Sequence, residues 1–253
     1  MCQPPVPPTV VRQRAGRAAA MKLDGARVLV VGATGVLGGR LAAGLAERGA
    51  ALALTGRRAE RLTEVATSTG ARWSGLLDLV DVDACATTVA TAAEALGGLD
   101  AVLIAAGVAA FGPASEDDDA VVEELFAVNT LGPMAVVRAG VPHLGPGGAV
   151  VVLTAVLADV PTAGMAAYSA SKAALSAYLT ALRRELRRSR LTVLDVRPPH
   201  LETGLADRAL AGTPPRMPAG HDVDDLVALV LQGMAEGRSE LVADLQAGSI
   251  SLR

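Results

Sequence analysis

The sequence predicts an α/β fold: a single domain built on a doubly wound sheet of about seven mainly parallel strands, with helices on both faces. Three observations predict it. From Ala26 onward, short β-branched apolar runs alternate with longer Ala/Leu/Arg/Glu stretches at helical spacing, the pattern of strand-helix units around a parallel sheet. Runs such as Val28-Leu29-Val30-Val31 and Val150-Val151-Val152-Leu153 are apolar at every position, as strands covered by helices on both sides must be. The chain has 253 residues, 51% of them hydrophobic, which suits one core of this class.

Taken in order, the first 20 residues stand apart. Pro4, Pro5, Pro7 and Pro8 crowd the start, and Arg12, Arg14 and Arg17 follow among small residues. This stretch has no continuous apolar segment of signal-peptide type, and it lacks the serines of a transit peptide. Residues 1–21 are therefore read as a flexible tail and 22–253 as the folded catalytic domain; the working chain either carries the tail or begins at Met21. Strands are expected over 26–31, 51–55, 72–77, 101–105, 149–154, 191–197 and 240–243. Helices are expected over 36–48, 59–68, 82–96, 118–144, 164–188 and 223–236. Ser115 and Asp118 have capping-box spacing, so the acidic run 116–119 reads as a helix start, with a metal site as the alternative. The basic run 183–188 closes a helix, where cations complement the dipole.

Composition removes several function classes. A net charge of −3 and only five aromatic residues argue against phosphate-backbone binding and base stacking, so no nucleic-acid partner is expected. Cys2 and Cys85 cannot form a disulfide framework, and His143, His200 and His221 lack ligand spacing, so no metal is expected. Charged residues or glycines interrupt every apolar run before about 18 residues, so no membrane span is expected and a reducing cytoplasm is the default location.

The first strand leads into Gly32-Ala33-Thr34-Gly35-Val36-Leu37-Gly38-Gly39 and a helix. Glycines at this spacing permit a tight turn, close approach of backbone to a pyrophosphate and packing of helix on sheet, while the helix N-terminus supplies N–H groups. In this strand-loop-helix context the loop predicts a Rossmann-like dinucleotide site. The second strand ends in Thr55-Gly56-Arg57-Arg58 rather than in an acid. A carboxylate there would bind a ribose 2′-hydroxyl, whereas guanidiniums grip a 2′-phosphate. NADP(H) is therefore expected over NAD(H), the alternative being that Arg57 and Arg58 merely face solvent at a helix start.

Tyr168-Ser169-Ala170-Ser171-Lys172 opens a long helix, and a spacing of four puts phenol and ammonium on one face. The chain has only two tyrosines and two lysines, so chance explains the pair poorly. A neighbouring ammonium stabilises phenolate, letting a tyrosine exchange a proton with a carbonyl or alcohol oxygen. The bland reading is a buried tyrosine whose hydroxyl is simply satisfied.

With the glycine loop, Asn129, the segment 164–172 and the later Pro198-Pro199-His200-Leu201-Glu202-Thr203, the chain resembles the short-chain dehydrogenase/reductase family over about 22–245. The resemblance implies an NAD(P)-dependent oxidoreductase in which Tyr168 is the acid/base, Lys172 lowers its pKa and holds the nicotinamide ribose, and Asn129 holds a water of the proton relay. It further implies that Gly32, Thr34, Gly35, Leu37 and Gly38 hold the diphosphate region, that Asp78 and Leu79 meet the adenine, that Ala106 and Gly107 border the cofactor, and that Pro198, Leu201 and Thr203 wrap the nicotinamide end. Related proteins form dimers or tetramers through the helices bearing Asn129 and Tyr168, so a homo-oligomer acting on a small molecule is expected.

Three departures from the family pattern stand out. Gly35 follows Gly32 by three residues rather than four, and Ile104-Ala105-Ala106-Gly107 replaces the usual Asn-Asn-Ala-Gly. Thirteen residues before Tyr168, the family's substrate-orienting serine falls on Ala155, with Thr154 beside it. Loss of such a donor typically costs about 10²–10³ in rate. Thr154 replaces it only where the strand ends or bulges, because successive strand residues face opposite sides. Phe111, Val156, Leu157, Met165, Leu201 and Leu205 suggest a fairly apolar substrate pocket, with Arg208 and Arg216 in the loop that would cover it. The leading expectation is a carbonyl reductase or the reverse alcohol dehydrogenase. A catalytically weak NADP-binding sensor, or a non-redox dehydratase or epimerase, is the alternative.

Overall fold

The computed structural model describes residues 20–216 and 219–253. The expected tail lies outside the described residues up to position 19. Met21 is buried, and its N–H donates to Ala235 O.

Among the described residues, eight strands form one sheet: β1 (Arg27–Val31), β2 (Ala51–Gly56), β3 (Trp73–Leu76), β4 (Leu99–Ile104), β5 (Leu144–Leu153), β6 (Thr192–Arg197), β7 (Glu240–Asp244) and β8 (Ser249–Leu252). Their order is β3-β2-β1-β4-β5-β6-β7-β8. All neighbours run parallel except β7 and β8, which are antiparallel. Order reverses between β1 and β4, and ligands bind at such a switch point, outside the strands' C-terminal ends. Registers such as Val31↔Thr55 and Val31↔Ile104 bring the ends of β1, β2 and β4 level there.

Around the sheet lie α1 (Val36–Ala46), α2 (Ala59–Thr69), α3 (Val82–Leu96), α4 (Asp119–Phe126), α5 (Gly132–Gly140), α6 (Ala166–Glu185) and α7 (Val223–Glu236). The two-residue period of β1 divides the core. Val28 and Val30 pack with Leu41 and Leu45 of α1 and with Val230 and Met234 of α7, whereas Leu29 and Val31 face the cluster holding Val89 of α3, Val136 of α5 and Leu179 of α6. Both faces of the strand are thus buried, as its unbroken apolar run requires.

Sequence and structure differ at several places. β8, an eighth strand, is short and exposed at alternate residues, so it lacks the apolar run by which its neighbours are recognised. The single helix expected over 118–144 is instead α4, a π-helical turn at Ala127–Leu131, α5 and a 3₁₀ turn at Val141–His143. Apolar periodicity runs through all four pieces and hides the junctions. Its cap is Asp118, which accepts from Ala120 N at 2.8 Å, not Ser115, which lies in a preceding 3₁₀ turn. Taken together, 119–143 reach 25 residues with an 18-residue window of mean hydropathy 1.4, long and apolar enough to cross a membrane, yet half of that window is buried inside the protein. At the end of α6, Arg183 donates to Val193 O and Ser239 O, tying the helix to β6 and to the residue before β7.

Candidate active site

The loop after β1 is shaped by contacts that only glycine permits. Gly32 has φ +89°, and a Cβ there would lie 2.8 Å from Ala106 N. A Cβ on Gly38 would stand 2.1 Å from Gly32 O, so helix α1 rests directly on the turn. Gly35 caps α1 without any side-chain hydrogen bond, leaving the helix's N-terminal N–H groups for an anion. Where Ile104-Ala105-Ala106-Gly107 departs from the family pattern, Ala105 N donates to Val31 O, and the backbone of 105–106 closes on Gly32.

Two cavities meet over this loop. One, of about 210 Å³, is lined by Gly32, Thr34, Arg57, Arg58, Asp78 and Leu79 among others. The other, of about 220 Å³, is lined by Leu37, Tyr168, Lys172, Pro198, Leu201 and Thr203 among others. Gly35, Ala106 and Gly107 line both. Of the cofactor residues expected from sequence, Gly38 alone lines neither cavity, and its role is the close packing on Gly32. The glycine cradle, the uncapped helix and the paired cavities fit a dinucleotide laid across the sheet's switch point.

At the second strand's end, Gly56 makes room for Thr34, whose Cγ2 would stand 2.4 Å from a Cβ. Arg58 donates to Thr34 O. Arg57 and Arg58 are exposed, and among the described residues no carboxylate pairs with either.

Tyr168 and Lys172 occupy the first turns of α6, the ammonium 5.9 Å from the phenol ring centroid. Lys172 Nζ also donates to Leu153 O at 3.4 Å. Both side chains are buried. Burial pushes the phenol up to about 12 and pulls the ammonium down to about 8, against the attraction of Asp195. Burial is the cause of the Tyr168 shift.

Asn129 lies in the π-helical turn and is fully buried. Its Oδ1 accepts from Val108 N at 2.9 Å, and its Nδ2 donates to Val108 O at 2.9 Å and Ser171 Oγ at 3.1 Å. Both amide protons are spent on protein, and the side chain lines neither cavity. It clamps the segment after β4 to α6, where a Cβ on Gly107 would meet Asn129 Oδ1 and Lys172 Nζ at 3.1 Å each.

Ala155 is buried and lines the cavity that contains Tyr168. Thr154 donates to Asp195 Oδ1 at 2.5 Å and also approaches Val196 O at 3.2 Å, so its hydroxyl turns to β6. Thr154 itself also lines the cavity that contains Tyr168. Of the apolar wall residues expected, Phe111, Leu157, Met165, Leu201 and Leu205 line this cavity. Val156 does not; it is buried, and its N–H bonds Pro198 O. Arg208 lines both cavities, whereas Arg216 lines neither. Val36, Ala109 and Val128 also line the walls. As small apolar residues in an apolar chain, they carry no sequence signal of it.

The family model described as short chain dehydrogenase matches residues 26–213. The chain belongs to the short-chain dehydrogenase family. It is an NAD(P)-dependent oxidoreductase of that family. Sulfoacetaldehyde reductase 2 of Chromohalobacter salexigens is 34% identical over 70% of this chain and 73% of that protein. A dehydrogenase/reductase of Sinorhizobium meliloti superposes with TM-score 0.79 at 30% identity, covering 90% of this chain and 98% of that one. A short-chain dehydrogenase of Burkholderia cenocepacia, solved in complex with NADP, superposes with TM-score 0.78 at 31% identity over 88% and 98% of the two chains.

Proposed function

We propose that this short-chain dehydrogenase reduces a carbonyl with NADPH, or oxidises the corresponding secondary alcohol, on a small to medium apolar substrate, with Tyr168 as the acid/base. One observation carries the reading: the Tyr168/Lys172 pair lies in an apolar cavity that opens onto the glycine loop. The bound nicotinamide would supply or accept the hydride. Gly32, Gly35 and the start of α1 would hold its diphosphate, and Arg57 and Arg58, exposed and without an acidic partner among the described residues, would favour a 2′-phosphate.

The residues then divide the proton work. Burial keeps the Tyr168 phenol protonated in the free protein, the state needed to donate to an oxygen gaining charge during reduction. As the proton leaves, the Lys172 ammonium stabilises the phenolate. Asn129 holds the segment after β4 against α6 and so positions Lys172. Phe111, Leu157, Met165 and Leu205 exclude water and select apolar substrate. A homo-oligomer assembled through the helices bearing Asn129 and Tyr168 would cover Leu131, a large apolar side chain 53% exposed beside Asn129. A cytoplasmic location belongs to the same proposal.

Ala155 favours a second reading. With the serine position empty of a donor and Thr154 committed to Asp195, the site would suit a weakly catalytic NADP-binding module or a non-redox reaction. Titration with NADPH and NADH, followed by a ketone and alcohol panel monitored at the nicotinamide absorbance band, separates these readings. Selective NADPH binding with turnover supports the reductase; binding with no net cofactor change on any carbonyl overturns it.

A further inference from the structure

The geometry points to Arg208 as a diphosphate-binding residue. The inference rests on the dinucleotide reading of the cleft and adds a residue to it. Six residues line both cavities: Gly35, Ala105, Ala106, Gly107, Leu205 and Arg208. These six mark the seam between the cavity holding Tyr168 and the one holding Arg57 and Asp78, so a dinucleotide spanning both has its central diphosphate at the seam. Five of them are neutral; Arg208 is the one charged side chain. Gly35, the uncapped start of α1, lines the same seam, and the partial positive charge of the helix start favours the same anion.

The guanidinium is held at the seam by its own segment. Arg208 Nη2 donates to Thr203 O at 3.2 Å, and the group folds over Gly204, where a Cβ would meet Nη1 at 2.9 Å. Gly204 has φ +66°, so the residue that makes room for the arginine also supplies the turn. The segment is latched to the stretch that follows β4: Leu210 N donates to Ala109 O at 2.8 Å, and Phe111 N to Ala211 O at 3.0 Å. Leu201 bridges to His221 at its base. Among the described residues no carboxylate pairs with Arg208, so a forked donor is free for two phosphate oxygens.

The same guanidinium chemistry would serve a substrate carboxylate or the 2′-phosphate, and the test separates these sources. Affinities of the wild-type, Arg208→Ala and Arg208→Lys proteins for NADPH, NADH and adenosine 2′-monophosphate are measured by fluorescence or calorimetric titration, without substrate. Arg208→Ala should weaken NADPH and NADH by the same factor, about 10-fold, and leave the monophosphate, which has no diphosphate, unchanged; Arg208→Lys should recover part of the loss. The side chain is exposed, so unfolding of the free variants should match wild type. Unchanged dinucleotide affinity in Arg208→Ala, including the case where only substrate KM rises, overturns the assignment. A loss confined to NADPH and the monophosphate transfers the residue to the 2′-phosphate and also overturns it. If the wild-type protein binds neither dinucleotide, the cleft itself has been misread and the assignment falls with it.

Discussion

Thr154 Oγ1 lies 2.5 Å from Asp195 Oδ1, which joins the end of β5 to the middle of β6. Asp195 is fully buried and also accepts from Ser176 Oγ at 2.6 Å and Arg197 Nε at 2.8 Å. Arg197 in turn pairs with Asp159 and Glu240, so a buried carboxylate has three side-chain donors, one of them charged, as such a group requires.

Thr154→Val removes one donor from that carboxylate without creating a large cavity. It should cost about 1–3 kcal/mol in denaturant unfolding, while Thr154→Ser stays near wild type, and turnover per folded molecule should change less than twofold. A normally stable Thr154→Val protein with turnover down tenfold would mean that the hydroxyl reaches the substrate after all.

Ala155→Ser restores a hydroxyl to a buried position lining the Tyr168 cavity. If the missing donor limits reduction, kcat should rise by about 10–10²-fold, somewhat less than the full value of an oxyanion donor, because the site has not been shaped around it. Steady-state kinetics on any accepted carbonyl decides the point. An unchanged or lower kcat would show that the substrate oxygen is held by other groups.

The parts of this molecule that were legible in sequence are those where one residue type answers one physical demand. The apolar run of β1 could only be a strand covered on both faces, and Gly32 and Gly38 could only mark close backbone approach. Tyr168 and Lys172 stand four apart on a helix, and the structure keeps them together. What escaped depended on direction rather than identity. Thr154 and Ala155 are adjacent in sequence and both line the cavity, yet the hydroxyl of Thr154 bonds Asp195 of β6. Asn129 was found by its resemblance, but its amide bonds to Val108 and Ser171 follow from a π-helical turn that apolar periodicity does not reveal. β8 was missed because its alternating exposure in a short segment resembles a loop.

Gly38→Ala tests whether the loop works by contact distance. A Cβ would stand 2.1 Å from Gly32 O, and both partners are backbone, so the turn or the start of α1 must move. Affinity for NADPH should fall more than tenfold and stability by about 1–3 kcal/mol, measured by titration and by thermal unfolding. Gly35→Ala, where the nearest such contact is an ordinary 3.4 Å, should be milder in stability. Equal behaviour of the two variants would refute the close-packing account.

Lys172 and Tyr168 should oppose each other in the pH dependence of stability. The groups around the ammonium are Asp195 from β6, the Leu153 carbonyl from β5, Asn129 Oδ1 and the Tyr168 phenol. Burial holds Lys172 down at about 8, from an ordinary value of 10.5, so between those values the unfolded chain binds more protons and stability rises with pH. Burial holds Tyr168 up at about 12, from an ordinary 10, so above pH 10 the folded chain keeps a proton that the unfolded chain loses, and stability falls. A maximum near pH 10 should therefore appear in this contribution. Lys172→Met should abolish the rise between pH 8 and 10 and stabilise the free protein at neutral pH by up to roughly 3 kcal/mol, while turnover collapses. Tyr168→Phe should remove the fall above pH 10 and abolish turnover with NADPH affinity nearly intact. Unfolding curves of the three proteins across pH 7–11 give both signs. A Lys172→Met protein less stable than wild type at pH 7 would mean that its bonds to Leu153 and its attraction to Asp195 outweigh the cost of burying its charge.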